Sequence, residues 1–258
     1  MFTRDDIIIG LNTTVIGRKL FVFDSLDSTN ACAKTLADAG LEEGTVVLAD
    51  YQTAGRGRQG RSWLSEPAMN ILLSIILRPS ISKEQASLLT FYAAVSVARV
   101  LEHLNVGKVE CKWPNDVLLN GKKCCGILLE NSFQQDRLVC SVVGIGMNIN
   151  QTQFDNDISN RATSLARESG STFNRKDVIQ SLLKETDRLL PSLANGRINT
   201  IVDEWKDRCT MFGKSVTLVQ GEETISGTAV RLEADGGLVI SIPSGQSTYY
   251  AGDVTIVR

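Results

Sequence analysis

The run Tyr51-Gln52-Thr-Ala-Gly55-Arg56-Gly57-Arg58-Gln59-Gly60-Arg61-Ser-Trp63 sets three arginines among three glycines, with no acidic residue between Asp50 and Glu66. A guanidinium offers forked donors that match phosphate or carboxylate oxygens, and glycine lets the backbone approach a ligand closely. A loop of this kind directly after a strand is suited to closing over an anion. As a mere solvated turn it would be costly to order, because glycine loses the most backbone freedom when fixed. The run also fits Gly-x-Gly-x-x-Gly, the dinucleotide fingerprint, but that motif needs a helix to open at its glycines. Here the chain continues through Arg61-Ser-Trp-Leu-Ser-Glu-Pro67 towards another strand, so a Rossmann site is not expected.

Two further runs carry suitable chemistry. In Lys112-Trp113-Pro114-Asn115-Asp116, Pro114 stops a strand and leaves Asn115 and Asp116 at its end, with Lys123 and Gly126 on the far arm of a turn. Asp116 can hold Mg2+, Asn115 can read an adenine edge, and Lys123 would be a point charge for phosphate. An ordinary Asn-Asp turn would use the same residues. Gly144-Ile-Gly146-Met-Asn148 ends a strand in glycines that permit close approach, and Asn148 offers both donor and acceptor.

Ordered elements must hold these runs. Asn30 to Ala39 reads as a helix closed by Gly40, with Ser28 or Thr29 as its cap. Thr45–Ala49 and Asn70–Leu77 read as buried strands. Ser82-Lys-Glu-Gln85 has the capping-box pattern and should open a helix to about Leu104, with Leu88, Phe91, Val95, Ala98 and Leu101 on one apolar face. Asn120-Gly121 suits a type I′ turn between Val117–Leu119 and Lys122–Glu130, and Arg137–Asn150 is another strand. A helix returns from Asn174 to about Leu190. Past Phe212 the runs Ser215–Val219, Ile225–Glu233, Gly237–Ile242 and Thr248–Val257 suggest a small barrel-like domain. The division expected is 1–210 and 211–258.

Composition narrows the function. A 258-residue chain with 43% hydrophobic and 22% charged residues can bury a core without metals or disulfides. A net charge of −2 lacks the basic excess that nucleic-acid binding uses, so DNA is not an expected partner. No apolar run approaches the roughly 20 residues of a membrane span, and the N-terminus carries acids where a signal peptide would be basic and then apolar. Six scattered cysteines without a CxxC pair read as reduced thiols, so a cytoplasmic protein is expected. The single histidine, His103, falls in the last turn of a helix and excludes most histidine-based triads and zinc sites.

Taken together, the runs resemble the biotin–protein ligase family. The matching segments are Asp27-Ser-Thr-Asn30, Gln52 to Arg61, Lys112 to Asp116, Gly121-Lys-Lys-Cys-Cys-Gly-Ile-Leu-Leu-Glu130 and Gly144 to Asn148, in the family's order over about residues 21–150. The resemblance implies an α+β fold: a mixed β-sheet flanked by helices, related to class II aminoacyl-tRNA synthetases, with a small C-terminal SH3-like β-barrel. It implies activation of biotin by ATP with Mg2+ to biotinyl-5′-adenylate, then transfer to a lysine of a biotin carboxyl carrier protein. Only about 20 residues precede the first segment, too few for a recognition helix and its supports, so a monofunctional type without a DNA-binding domain is expected. Relatives often form homodimers through the sheet.

The same resemblance distributes roles. Ser28, Thr29, Asn30 and Gln52 would line the biotin pocket, with Gly55, Arg56, Gly57, Arg58, Lys123 and Gly126 closing on the head group and carboxyl end. Arg58, Arg61, Trp63, Lys112, Asn115, Asp116 and Asn148 would serve ATP and the adenylate, Asp116 also on the Mg2+ side. Lys123, Arg56 and Arg58 would carry catalysis. The loop Gly55–Trp63 is expected to order only over ligand. Gln59 stands where many relatives have arginine, and Cys124-Cys125 where apolar or small residues are common; both read as packing. A lipoate–protein ligase shares the two-step logic but generally lacks the arginine loop and Lys112-Trp-Pro-Asn-Asp116. A non-catalytic biotin-binding module would have no use for Lys123.

Overall fold

Short β-rich runs separated by glycine and proline fold into two sheets in this computed structural model, which describes residues 2–194 and 196–257. The elements are α1 (Arg4–Ile8), β1 (Leu20–Leu26), α2 (Thr29–Asp38), β2 (Val46–Gln52), β3 (Ile71–Leu77), α3 (Leu89–Leu104), β4 (Val109–Lys112), β5 (Asp116–Leu119), β6 (Lys122–Gln134), β7 (Arg137–Met147), α4 (Leu165–Ser169), α5 (Arg175–Ala194) and α6 (Ile198–Asp207). Then come β8 (Ser215–Gln220), β9 (Glu223–Leu232), β10 (Leu238–Ile242), β11 (Gly245–Tyr249) and β12 (Asp253–Ile256).

The first sheet has the order β1-β2-β3-β7-β6-β5-β4; β1 pairs parallel with β2 and every other pair is antiparallel. The expected mixed sheet with flanking helices is therefore present. Alternation sorts its side chains. Leu73, Ile75, Leu77, Val143 and Ile145 pack with α3, while Val47, Ile76 and Val142 pack with Ala33 and Ala37 of α2. Asn120 and Gly121 take positive φ between β5 and β6, as a type I′ turn requires.

Ser28 caps α2, its hydroxyl accepting from the Ala31 N–H. The capping pattern at Ser82 behaves otherwise. Gln85 accepts the Ser82 N–H, as in a capping box, yet a short 3-10 turn at Ala86–Leu88 follows and α3 begins only at Leu89. The motif closes its own turn. Leu88, Phe91, Val95, Ala98 and Leu101 are all buried, but so is most of α3, because α5 and α6 cover the side the sheet leaves free. Phe91 meets Trp205 of α6 with ring centroids 4.6 Å apart. The helices α1, α4 and α6 are additional to those expected from the sequence.

The C-terminal strands form a five-stranded antiparallel sheet, order β11-β10-β9-β8-β12. The run 248–257, expected as one strand, divides into β11 and β12 at Tyr250–Gly252, where Gly252 takes φ 129°. This sheet is tied to the first unit. The Trp113 indole donates to the Gly236 carbonyl at 3.0 Å, and the Ser87 hydroxyl to that of Asp235 at 2.6 Å.

Candidate active site

Two cross-strand rows floor the site. One runs Lys112, Asp116, Gly126, Gly146, Leu72 across β4, β5, β6, β7 and β3; the next runs Leu128, Gly144, Ser74. Cross-strand partners share a face of the sheet, so the glycines open a trough in it. Two larger groups settle there. A Cβ at Gly144 would strike Asn30 Oδ1, and one at Gly126 or Gly146 would lie 2.8 or 2.6 Å from the ring of Trp63. The resulting cleft is open to solvent and is lined on its rim by Arg56, Arg58, Arg61 and Lys123.

One wall is a hydrogen-bonded chain. Gln52, at the end of β2, accepts from the Thr29 N–H at 2.7 Å and lies 3.0 Å from its hydroxyl. Ser74 Oγ lies 2.8 Å from Thr29 Oγ1 and donates to Asn30 Oδ1 at 2.6 Å. Asn30 donates in turn to the Leu128 carbonyl at 3.2 Å and to Glu130 at 2.7 Å. Ser28, Thr29 and Asn30 are buried; such satisfied networks fix side chains in one arrangement.

The arginine loop forms the lid. It folds back on itself: Trp63 N–H donates to Gly55 O at 2.9 Å, Gly57 N–H to Arg61 O at 2.7 Å and Arg61 N–H to Arg58 O at 3.2 Å. No helix opens at the glycines, only a single 3-10 turn at Arg58–Gly60, so the helix that a Rossmann site requires is absent there. Gly55 sits behind the lid, where a Cβ would strike the Trp63 carbonyl. Each arginine reaches a different element. Arg56 pairs with Glu130 of β6 at 3.2 Å, Arg58 donates to Asn115 Oδ1 at 3.2 Å, and Arg61 pairs with Asp253 of β12. Burial pushes the Arg58 guanidinium below its usual pKa, with the Asp116 carboxylate opposing.

Lys123 owes its position to a bulge. The register of β5 against β6 slips between Val117, opposite Cys125, and Leu118, opposite Lys123. Simple alternation would put Lys123 and Gly126 on opposite faces; the extra residue turns the lysine to the cleft, and its Nζ lies 3.2 Å from where a Gly126 Cβ would be. The same insertion leaves Cys124 and Cys125, two consecutive residues, fully buried. Lys123 Nζ pairs with Asp116 at 2.7 Å and stands 5.6 Å from the Trp63 ring centroid. Its backbone is clamped on both sides: Lys123 N–H donates to Arg161 O at 2.7 Å, and Thr163 N–H to Lys123 O at 2.9 Å.

Of the residues singled out in the sequence, Ser28, Thr29, Asn30, Gln52, Arg56, Gly57, Arg58, Arg61, Trp63, Asn115, Asp116, Lys123 and Gly126 line this one cleft. Gly55, Lys112 and Asn148 do not line it, although Lys112 continues the floor row beyond Asp116. Asn148 is buried and donates to the Thr163 carbonyl at 3.0 Å, so it braces the segment that clamps Lys123. Burial lowers the Lys112 pKa, with Asp116 opposing. Asn115 has both ends of its amide engaged, accepting from Arg58 and donating to the Ile127 carbonyl at 2.7 Å. Sequence reasoning missed Glu130, Asp253 and the 158–163 segment. Glu130 ended a matched run; nothing in a polar turn near the C-terminus pointed to Asp253.

Fold and cleft together set four cations, Arg56, Arg58, Arg61 and Lys123, around a glycine floor, an arrangement suited to a ligase that must bring anionic groups together. Residues 22–148 match the biotin/lipoate A/B protein ligase family, and residues 211–257 the biotin protein ligase C-terminal domain. The chain is 34% identical to the bifunctional ligase/repressor BirA of Bacillus subtilis (strain 168) over 98% of its own length and 79% of that protein's. It is 33% identical to the biotin–[acetyl-CoA-carboxylase] ligase of Paracoccus denitrificans over 88% of itself and 96% of the relative. Among solved structures, the Aquifex aeolicus biotin protein ligase in complex with biotin and ATP superposes with a TM-score of 0.77 at 31% identity, covering 93% of this chain and 99% of that one. The chain belongs to the biotin–protein ligase family.

Proposed function

We propose that this chain joins biotin to ATP as biotinyl-5′-adenylate, releasing pyrophosphate, and then passes the biotinyl group to a carrier lysine, releasing AMP. The observation that carries the reading is the placement of Lys123. It stands on the Gly126–Gly146 row beside Trp63, one row from Asn30 and Gly144, where a carboxylate from one half of the cleft would meet a phosphate from the other.

In this reading Ser28, Thr29, Asn30 and Gln52 hold biotin, and Trp63 offers its ring to the adenine. When biotin's carboxylate oxygen attacks the α-phosphorus, negative charge grows on the phosphoryl oxygens as pyrophosphate departs. Arg58 and Lys123 are aimed at that charge from a partly buried site, where fixed cations count for more than in water. Asp116 holds Lys123 Nζ in place. In the second step a neutral carrier amine attacks the acyl carbon, the bond to the phosphate oxygen breaks, and AMP leaves. Gly55, Gly57 and Arg56 shape the lid, and Lys112, Asn115 and Asn148 brace the nucleotide end.

Mg2+ binds with few protein carboxylates and keeps several waters. No group of three His, Cys, Asp or Glu residues is placed to hold a metal among the described residues, and in this reading the ion is carried by the ATP phosphates. Asp116 would be its protein carboxylate, and the bound ion would screen phosphate charge. The names of the relatives support a biotin carboxyl carrier as acceptor. The reading further takes residues 1–210 as the catalytic unit and 211–258 as the appended one, in a cytoplasmic protein that dimerises through its sheet. No helix among the described residues is long and apolar enough to cross a membrane.

The test is ATP–pyrophosphate exchange by the purified chain with Mg2+, comparing biotin, lipoate and no acid. Exchange that requires biotin supports the reading. Exchange with lipoate alone transfers it to the sister activity, and none with any acid, in folded protein, rejects it.

A further inference from the structure

Asp253 is the one residue of the C-terminal sheet that lines the cleft, and it brings a carboxylate to a site built for anions. It does so at the start of β12, pairing with Arg61 of the lid, while Arg56 at the other end of the lid pairs with Glu130. The two carboxylates differ in what else they hold. Glu130 also accepts from Asn30 and so belongs to the biotin wall. Asp253 is 44% and Arg61 57% exposed, and Gln59 beside them accepts from the same guanidinium at 3.1 Å. A half-exposed pair of this kind contributes little to stability. Its position is what counts, since it joins the tip of the lid to a sheet that otherwise stands outside the site.

We propose that Asp253 is a positioning residue that latches the arginine lid shut through Arg61 and keeps water from the bound acyl-adenylate. The inference rests on the adenylating function proposed above. The reaction it suppresses is hydrolysis: water adds to the acyl carbon, the acyl–oxygen bond to the phosphate breaks, and biotin and AMP are released without a carrier. With the latch in place the C-terminal sheet acts as a doorpost, and the adenylate waits for the carrier lysine.

The experiment measures AMP formed per biotin transferred to a carrier domain, with wild type, D253N, R61Q, the double variant and D253E. The scale expected of a half-exposed ion pair is about a two- to fivefold rise in that ratio for D253N, with at least as large a rise in R61Q, which also removes a nucleotide-side arginine. D253E should restore coupling, the double should be no worse than R61Q, and the KM for biotin should move by less than the leak. For wild type the ratio should also climb with added salt, which screens exposed charges, and D253N should lose that dependence. Wild-type ratios in D253N, or single effects that multiply in the double, would overturn the latch while wild-type adenylation still stands. Absence of adenylation in wild type would instead remove the function on which it rests. Should D253N fail to fold, the salt dependence of wild type alone decides: a flat response overturns the proposal.

Discussion

Gly126 and Gly146 are cross-strand partners on β6 and β7, and the indole of Trp63 lies against both. The sheet there has no side chains, so the ring takes their place and forms part of the cleft floor. Gly146→Ala would put a methyl group 2.6 Å from the ring and displace it. We expect the KM for ATP to rise about tenfold or more, the loss of one stacked aromatic contact plus the strain of the shift, with a smaller effect on biotin. Steady-state kinetics in both substrates checks this.

Trp63 should also report on the site. Trp113 and Trp205 are buried, at 2% and 0% exposure, whereas Trp63 is half-buried on the cleft. Ligand that fills the cleft should change tryptophan emission, and W63F should abolish most of that change. A full response in W63F would show that ligands bind elsewhere.

Lys123 and Asp116 form the charge pair at the reacting end. Lys123→Gln removes a donor aimed at developing charge and should lower pyrophosphate exchange about 100-fold or more, with biotin affinity less affected. Asp116→Asn leaves the lysine but frees it, and a smaller loss is expected. Equal exchange in K123Q and wild type would disprove the assignment.

Much of this was legible in the residues. The Asn120-Gly121 turn and the strands beside it follow from local rules that the structure obeys, whereas the mixed sheet was implied by the family resemblance of the motifs. What was not legible was the bulge and the contacts made over long distances along the chain. The bulge at Cys124, which turns Lys123 to the cleft, leaves no composition signal. Glu130 and Asp253 become site residues only because folding sets them beside Arg56 and Arg61, 74 and 192 positions away. α6 did carry a local signal, since Ile198, Ile201, Val202 and Trp205 recur at helical spacing and are the residues it buries.

Gln52 gathers the backbone N–H and hydroxyl of Thr29. Gln52→Ala leaves both without that acceptor near a buried wall, which costs about 1–3 kcal/mol. The KM for biotin should rise about 10- to 100-fold, with the KM for ATP changing far less. Parallel increases in both would place Gln52 in the lid's support instead.

The cysteines set an alkaline limit. Burial pushes the thiols of Cys111 and Cys124 from the usual 9.0 to about 12, and Cys125 well above its usual value. Folded, these thiols hold protons that the unfolded chain gives up above pH 9, so their contribution is complete below 9 and lost as pH rises towards 12. Denaturant titrations should show stability falling from pH 9 to 11. At pH 8 these three thiols should resist a thiol reagent until the protein is unfolded.

The central claim is that one cleft performs both steps, and single-turnover chemistry reaches it most directly. Protein, biotin and Mg2+·ATP are mixed, quenched and assayed for biotinyl-adenylate; an apo carrier domain is then added and its lysine assayed for biotin. The account predicts about one adenylate per active cleft, consumed as carrier lysine is biotinylated, with both signals lost in K123Q. Carrier biotinylation without a detectable adenylate, or adenylate formation undiminished in K123Q, would contradict it.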